Sequence, residues 1–324
     1  MKRNHNLLFV VLISAAMLAF TAHAVAAEGH FERNLSVSGE TDLDVLTGAG
    51  NISIMRGGAG TVHVVGKIST NHGSDGLSAE QKVQMIESNP PIEQTGSTIR
   101  IGHTQDDRLR NASISYEITV PEQTRVRMQS GSGDEKIEGI AGPVRAGTGS
   151  GNLQVRNIAT EVHADTGSGD IEISDLRGGV RANTGSGNVH ATGVSGALTV
   201  DTGSGDVHVT QSSLTDVKLQ TGSGNVQVDQ VKGALTAMTG NGDIDIRGVQ
   251  TASWKLQAGS GSVHVHLPSD AAFELHARSG SGSIHSEHPI TMTGTMRRGE
   301  VRGTVRGGGS LLDVSTGSGS IEIE

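Results

Sequence analysis

Residues 166–191, TGSGDIEISDLRGGVRANTGSGNVHA, contain the tetrapeptide Thr-Gly-Ser-Gly twice, 18 positions apart. Related Gly-x-Gly segments recur along most of the chain. The residues that precede them lie 18 or 19 positions apart, and they are Ser130, Thr148, Thr166, Thr184, Thr202, Thr221, Thr239 and Ala258. A fixed period of this length predicts a repeat protein, in which stacked neighbouring units share one continuous core.

Within each unit, apolar and polar residues alternate. Ile171 and Ile173 follow the glycines of one repeat, and Val180 and Ala182 precede the glycines of the next. A period of two is typical of β-strands, and a single unit cannot bury its own apolar face. We therefore predict an all-β fold, a single-stranded right-handed parallel β-helix (β-solenoid) with coils of 18–19 residues. Right-handed coiling is expected because crossovers between parallel strands strongly prefer that hand.

Two other repeat folds fit the pattern less well. A left-handed solenoid needs an apolar residue about every sixth position, whereas Ile171, Leu176 and Val180 are spaced by five and four. A β-propeller needs blades of roughly 40 residues or more. The period therefore favours the right-handed solenoid.

A column of acids and amides follows the glycines. Asp and Asn favour turns because their side chains accept hydrogen bonds from nearby backbone amides. Alternation of acid and amide also keeps like charges about two coils apart, past the Debye length of ~8 Å. We predict that the column stacks in register at a corner of the coil. Its members are Asp134, Asn152, Asp170, Asn188, Asp206, Asn225 and Asp243, continued by Ser262 and Ser283.

The N-terminal residues 1–27 predict a signal peptide. Lys2 and Arg3 precede an apolar run over residues 7–20, and small residues then allow cleavage after Ala24 or Ala27. An uncleaved anchor is the alternative. The net charge of −9 becomes −11 once residues 1–27 are removed. We expect an exported chain without a membrane span, located in the periplasm or outside the cell, at its surface.

The rest of the chain divides into two predicted regions. Residues 28–129 predict an N-terminal β region with an inserted helix at about 78–88, because Ser78 and Gln81 have the spacing of a capping box. This region is expected to cap the solenoid. Residues 130–324 predict the repeat region. There the spacing suggests a degenerate coil around residues 296–299, and Ile321 and Ile323 are expected to finish the last strand.

Three segments carry a resemblance to a known family. A strand reading ITVPEQTRV (118–126), tandem GSGD and GSGN coils, and a terminal STGSGSIEIE together resemble the bacterial putative-adhesin family of exported β-strand-repeat proteins, related to the head-GIN-domain group. The resemblance covers most of the chain after Gly29. It implies a right-handed β-helix of unknown function and supplies no catalytic residues to carry over.

Metal sites are the first candidates for chemistry. Calcium prefers six to eight oxygen ligands, but the corner column offers one Asp, Asn or Ser per coil, so the column is interpreted as turn-stabilising. An outward column contains His190, His208, His264 and His285, in which 190 and 208 are expected to be neighbours, as are 264 and 285. Two imidazoles can share zinc only weakly, and a solvated β face is the favoured interpretation. No cofactor is predicted.

Composition limits the remaining function classes. The chain has no cysteine, which excludes disulfide and thiolate chemistry, and its negative charge disfavours binding to nucleic acid. Short coils leave no loops to wall a catalytic groove. We therefore expect a non-catalytic adhesin, envelope scaffold or binding module whose partner is an envelope polysaccharide or another surface protein. The alternative is a carbohydrate-active β-helix enzyme that uses Asp170 and Glu172. The ligand and the oligomeric state stay open.

Overall fold

The computed structural model describes residues 27–70, 77–103, 112–211, 213–292 and 298–324. Nearly all of the described chain is β-structure, which confirms the predicted β-solenoid. The elements in chain order are β1 (Ala27–Ser36), β2 (Thr41–Ala49), β3 (Ile52–Arg56), β4 (Thr61–Thr70), α1 (Ala79–Ser88), β5 (Ile92–Thr95), β6 (Thr98–Ile101), β7 (Ala112–Val120), β8 (Thr124–Ser132), β9 (Glu135–Glu138), β10 (Val144–Ser150), β11 (Leu153–Arg156), β12 (Val162–Thr166), β13 (Ile171–Ser174), β14 (Val180–Ser186), β15 (Val189–Thr192), β16 (Leu198–Ser204), β17 (Val207–Thr210), β18 (Val217–Ser223), β19 (Val226–Val231), β20 (Leu235–Asn241), β21 (Ile244–Gly248), β22 (Trp254–Ser260), β23 (Val263–His266), β24 (Phe273–Ser281), β25 (Ile284–Ser286), β26 (Ile290–Met292), β27 (Glu300–Val305), β28 (Ser310–Ser318) and β29 (Ile321–Ile323).

Each coil gives one strand to each of two long sheets. Sheet A has the order β1-β4-β7-β3-β9-β11-β13-β15-β17-β19-β21-β23-β29-β25, and sheet B has the order β26-β27-β24-β28-β22-β20-β18-β16-β14-β12-β10-β8-β2-β6-β5. Equivalent residues of successive coils pair in parallel, as Val180 does with Leu198 and Ile171 with Val189. Inward residues of both sheets form one continuous buried core along the stack.

Two glycines in each repeat are required by the close approach of successive coils. A Cβ on Gly187 would lie 1.9 Å from the carbonyl oxygen of Gly169, and one on Gly185 would lie 2.5 Å from that of Gly167. Both distances are far inside van der Waals contact. A left-handed backbone adds to this at some coils, as at Gly242 with φ of 147°. Close backbone approach is therefore the main reason for the repeated Gly-x-Gly.

A second corner of the coil depends on a residue with left-handed backbone geometry. Asn157, Asp175 and Gly193 occupy equivalent positions in three successive coils and have φ values of 50°, 58° and 66°. Asn, Asp and Gly are the residues that adopt this geometry most readily. The buried residue that follows, Leu176 in the middle coil, then turns into the core.

The helix lies in the N-terminal region, as predicted. Ser78 caps α1: its hydroxyl accepts a hydrogen bond from the Gln81 amide at 3.2 Å, and Oε1 of Gln81 accepts one from the Ser78 amide at 2.9 Å. The helix packs against β1, where Glu87 accepts the amide proton of His30 at 2.9 Å. Strands β1, β4 and β7 pair antiparallel and extend sheet A beyond the first coil, which β2 and β3 form.

The last strand, β29, ends with Ile321 and Ile323 as predicted, but it does not lie at the end of the stack. In sheet B, β28 pairs with β22 on one side and with β24 on the other. In sheet A, β29 lies in the same way between β23 and β25. The C-terminal coil is therefore intercalated between two coils that precede it in sequence, and Leu312, Val314, Ile321 and Ile323 are fully buried there.

The prediction of a degenerate coil around residues 296–299 is wrong. In its place, the antiparallel strands β26 and β27 extend sheet B beyond β24. Residues 293–297 lie outside the described residues, and so does the predicted signal peptide except for Ala27. Within the described ranges, no helix is long and apolar enough to cross a membrane.

Candidate functional site

The predicted corner column forms a ladder of hydrogen bonds between coils. Oδ1 of Asp170 accepts the backbone amide proton of Asn188 at 2.7 Å, and Oδ1 of Asn188 accepts that of Asp206 at 2.9 Å. The same contact joins every step of the column from Asn51, which accepts from Asp134, to Asp243, which accepts from Ser262. Asp and Asn are interchangeable in this role because both offer an acceptor oxygen. The ladder stabilises the stack.

A buried column of hydroxyls lies beside the ladder. Oγ1 of Thr184 donates to the carbonyl oxygen of Gly169 at 3.1 Å, and Thr202 donates to Gly187 at the same distance. Thr148, Thr166, Thr221, Thr239, Thr316 and Ser279 make equivalent bonds in their own coils. Ala258 interrupts the column. This role explains why a polar residue occupies a buried position in almost every coil.

The histidine column lies on the outer face of sheet A. His190 and His208 are register partners, and their rings stack with centroids 4.9 Å apart and an interplanar angle of 14°. Nε2 of His208 also lies 3.7 Å from a carboxylate oxygen of Asp229. Both imidazoles are half-buried or exposed on a solvated face, which leaves them accessible from outside.

The expected contact between His264 and His285 is wrong. Glu322 of β29 lies between them in register, because the C-terminal coil separates the coils that carry the two histidines. Nδ1 of His264 is 3.1 Å from Oε2 of Glu322. His264 is thus paired with one carboxylate, that of Glu322, as His208 is with that of Asp229. Across the described residues, no group of three or more His, Cys, Asp or Glu side chains is placed to hold a metal ion.

The two carboxylates considered for catalysis are held by neighbours. Oε1 and Oε2 of Glu172 accept hydrogen bonds from Arg156 at 2.6 Å and from Gln154 at 2.8 Å. The bond from Gln154, and then the Arg156 guanidinium, lower the pKa of Glu172 below its ordinary value. Asp170 accepts the Asn188 amide described above. A general acid near neutral pH needs a raised pKa, and the pKa of Glu172 is changed in the opposite direction.

A buried acid was missed by the sequence reasoning. Glu135 occupies the first inward position of β9, in register with Ile52 and Leu153, and it is 1% exposed. Burial raises the pKa of this carboxyl to about 8, although the backbone amides of Gly147 and Ser130 partly oppose the change. Neither carboxyl oxygen makes a well-formed hydrogen bond. The sequence does mark this acid, because Glu135 occupies a position at which the other repeats have Ile, Leu or Val.

An open groove runs along the outer face of sheet B. It has a volume of about 1110 Å³, and its floor is the column of glycines that begins the Gly-x-Gly segments, from Gly131 to Gly203. Asp165, Asn183 and Asp201 line one side of the groove, and Nδ2 of Asn183 donates to Oδ1 of Asp165 at 2.6 Å. The groove exists because glycine has no side chain to fill it. It offers a long open surface with polar side chains along one side.

Comparison with solved structures gives two distant likenesses. A putative cell adhesion protein from Clostridium sporogenes shares 13% identity over 91% of this chain and 99% of its own, with a TM-score of 0.22. A putative adhesin from Bacteroides fragilis shares 13% identity over 91% of this chain and 97% of its own, with a TM-score of 0.29. At TM-scores this low, neither likeness carries an argument about function.

Sequence comparison is more decisive. No curated protein matches the chain. A family model described as Toastrack DUF4097 matches twice, over residues 34–177 and 160–324, and the two matches together span the β-solenoid. This agrees with the resemblance to bacterial adhesin-like repeat proteins of unknown function that the sequence suggested. The chain belongs to the Toastrack DUF4097 family.

Proposed function

We propose that the mature chain is a non-catalytic, exported binding module or scaffold of the adhesin type, which presents its outer β faces to an envelope polysaccharide or to another surface protein. The observation that carries the proposal is the uniform stack of coils with its open groove on sheet B. A surface of this kind provides a long contact area for an extended partner. Exported location, in the periplasm or at the cell surface, is part of the proposal.

The state of the acids supports binding over catalysis. Glycoside hydrolysis needs two carboxyl groups, one with a raised pKa, on either side of the scissile bond. Glu172 is held in its charged form by Gln154 and Arg156, and Asp170 is engaged in the corner ladder. Glu135, whose pKa is raised, lies in the core between Ile52 and Leu153, where no substrate reaches it.

The experiment uses the purified mature chain and a panel of envelope polysaccharides and surface proteins. Biolayer interferometry would measure binding, and a reducing-end assay on the same samples would measure cleavage. We expect saturable binding of at least one partner without release of reducing ends. Turnover that disappears in Asp170→Asn or Glu172→Gln would establish the enzyme instead. Fractionation of cells that express a tagged chain tests the location, and recovery in the cytoplasm would contradict it.

A further inference from the structure

We propose that the outer face of sheet B binds a linear anionic polysaccharide along one column of side chains, with one carboxylate or sulfate for every two sugars. The inference rests on the proposed binding function and names the partner and the face. The column is called here the basic stripe, and its members in order are Arg127, Arg145, His163, Arg181, Thr199, Lys218, Thr236 and Lys255.

The basic stripe is a continuous, accessible row. Each member is the register partner of the next, so the row follows the stack for roughly 34 Å at the usual spacing of β-strands. All five Arg and Lys side chains of the row are exposed. Within the described part of the chain, none of these five forms an ion pair with a carboxylate. The cations are therefore available to a partner.

The charge of this face is opposite to that of the whole chain. Strands β8, β10, β12, β14, β16, β18, β20 and β22 of sheet B carry six Arg or Lys residues and two Asp residues, a net charge of +4. The corresponding strands of sheet A, from β9 to β23, carry three Arg or Lys residues and five Asp or Glu residues, of which Glu135 faces the core, so their outer face has a net charge of −1. The net charge of the whole chain is −9, so the positive charge of this outer face is a local concentration on one sheet. An anionic partner would be steered to that sheet.

The spacing of the cations selects the polymer. From Arg145 to Lys255, every second coil carries a cation, at intervals of roughly 9.6 Å. His163, Thr199 and Thr236 occupy the coils between, and their side chains can donate or accept hydrogen bonds. Two sugars of an extended polysaccharide span about this interval. Nucleic acid carries a phosphate about every 3.4 Å along each strand of the duplex, which is far denser than the cations.

The surface beside the basic stripe also favours sugars. Asp165 and Asp201 stand in the next outward column and line the groove, with Asn183 between them. Carboxylates accept hydrogen bonds from hydroxyl groups but repel a densely charged phosphate chain. Strands β8 to β22 of sheet B present no Phe, Tyr or Trp on their outer face, since Trp254 is fully buried, so they lack the stacking platforms that single-stranded nucleic acid uses.

Acidic residues close the row at both ends. Asp44 precedes Arg127 in register, and Asp313 of the intercalated strand β28 follows Lys255. Oδ1 of Asp313 lies 3.4 Å from Nδ1 of His276 in the next coil. The positive segment is thus limited to eight coils, which predicts a binding site of about eight sugars.

The test compares two variants with equal changes in charge. The stripe variant carries Arg181→Gln, Lys218→Gln and Lys255→Gln. The control variant carries Lys136→Gln, Arg156→Gln and Arg247→Gln on sheet A. Both are measured in the full mature chain, with thermal melting as a check of folding. The probes are hyaluronan oligosaccharides, which carry one carboxylate per two sugars, polygalacturonate, which carries one per sugar, neutral dextran, and oligothymidylate.

We expect hyaluronan to bind saturably and dextran not to bind. The stripe variant should lose at least tenfold in affinity for hyaluronan, whereas the control variant should stay within about twofold of the wild type. Added salt should weaken the wild type more than the stripe variant, because screened charges contribute less. Polygalacturonate should bind more weakly than hyaluronan, since half of its charges have no cation opposite.

Several results would overturn the inference. If the stripe variant and the wild type bound hyaluronan with equal affinity, the binding site would lie elsewhere. If none of the four probes bound the wild type, the proposal of a polysaccharide partner would be wrong. Tighter binding of oligothymidylate, lost in the stripe variant, would make the row a nucleic-acid site. In each case the proposed function still stands if the wild type binds an envelope component. The binding function itself fails if the wild type binds no component of the envelope panel.

Discussion

At the residue scale, the carbonyl oxygen at each corner of the coil explains why three residue types recur in the repeat. The oxygen of Gly169 accepts the hydroxyl proton of Thr184, and the space above it is open only because Gly187 has no Cβ. Asp170, the next residue, then receives the amide of Asn188. Threonine, glycine and the acid or amide are thus three parts of one contact between neighbouring coils, and most repeats contain all three.

This contact predicts that alanine substitution of two nearby glycines, in β10 and just after it, will change stability by different amounts. Gly151→Ala should destabilise the fold by about 1–3 kcal/mol or more, because the new Cβ would lie 2.1 Å from the carbonyl oxygen of Gly133. Gly147→Ala should change stability by less than about 1 kcal/mol, since its Cβ would meet only the Asp165 oxygen at 3.8 Å. Urea unfolding of both variants measures the difference. Equal losses would show that close coil approach is not the reason for glycine at 151.

Glu135 predicts a dependence of stability on pH. The pKa of this carboxyl is about 8 in the folded chain and near 4.5 when solvated, so the folded state keeps a proton that the unfolded state releases between these values. The stabilising contribution is complete below about pH 4.5 and is lost as the pH rises to about 8.

The test of this dependence is the Glu135→Leu variant, which restores the residue type found at Leu153. Its free energy of unfolding should exceed that of the wild type by a few kcal/mol at pH 8, on the order of 1.4 kcal/mol per unit of pKa change, and the gap should narrow toward pH 5. Urea titrations at both pH values measure it, and Glu138→Leu, on the outer face, is the control. A gap that does not vary with pH would contradict the assignment.

At the scale of strands, the two outer faces of the solenoid are built alike and charged differently. Side chains in register form rows, so one residue type repeated at one position becomes a row on the surface. On sheet A the row mixes imidazoles and carboxylates, including His264 beside Glu322. On sheet B the equivalent row is cationic. The strand pattern therefore determines both the core and the chemistry that the surface offers.

The stacked pair on sheet A predicts no response to zinc. The His190→Ala and His208→Ala double variant should leave stability unchanged to within about 0.5 kcal/mol, the usual range for surface positions. Zinc should not raise the melting temperature of the wild type, because the described residues place no group of three or more His, Cys, Asp or Glu side chains where they could hold a metal ion together. Calorimetry with and without zinc measures both. A rise in the wild type that the double variant and a pH below about 6 abolish would establish a metal site.

Strand order at the C-terminus predicts the outcome of cross-linking. Lys255 and Asp313 are partners on adjacent strands, roughly 4.8 Å apart, whereas Lys255 and His276 are separated by a whole coil. The chain has no cysteine of its own, so introduced pairs are the only thiols. Lys255→Cys with Asp313→Cys should form a disulfide on oxidation, and Lys255→Cys with His276→Cys should not, because Cα atoms must lie within about 7 Å. Peptide mass analysis without reductant distinguishes the pairs, and the reverse result would restore the simple sequential order.

At the scale of the whole molecule, the repeat could be predicted and the order of its last coils could not. The repeat length of 18–19 residues and the alternation of apolar and polar residues around Ile171 are required by the contacts of each coil with its neighbours. Both are therefore visible in the sequence of almost every repeat. The intercalation of β28 depends on a choice between partners whose inward residues are alike, such as Leu312 and Leu275. The only sequence sign was the break in spacing after Ala258. The basic stripe likewise appears only when distant positions are brought into register.

The intercalated coil has a consequence for the order in which the coils of the chain assemble. A solenoid whose coils follow the order of the chain can fold from its N-terminal end, with each coil packing on the one before it. Here the coil of β22 and β23 does not pair with the coil of β24 and β25 in the folded chain, since β28 and β29 occupy the space between them. A chain that stops short of residue 310 lacks the segment that joins the two. The stack therefore closes only when residues 310–324 have folded into it, so its assembly cannot follow the order of the chain.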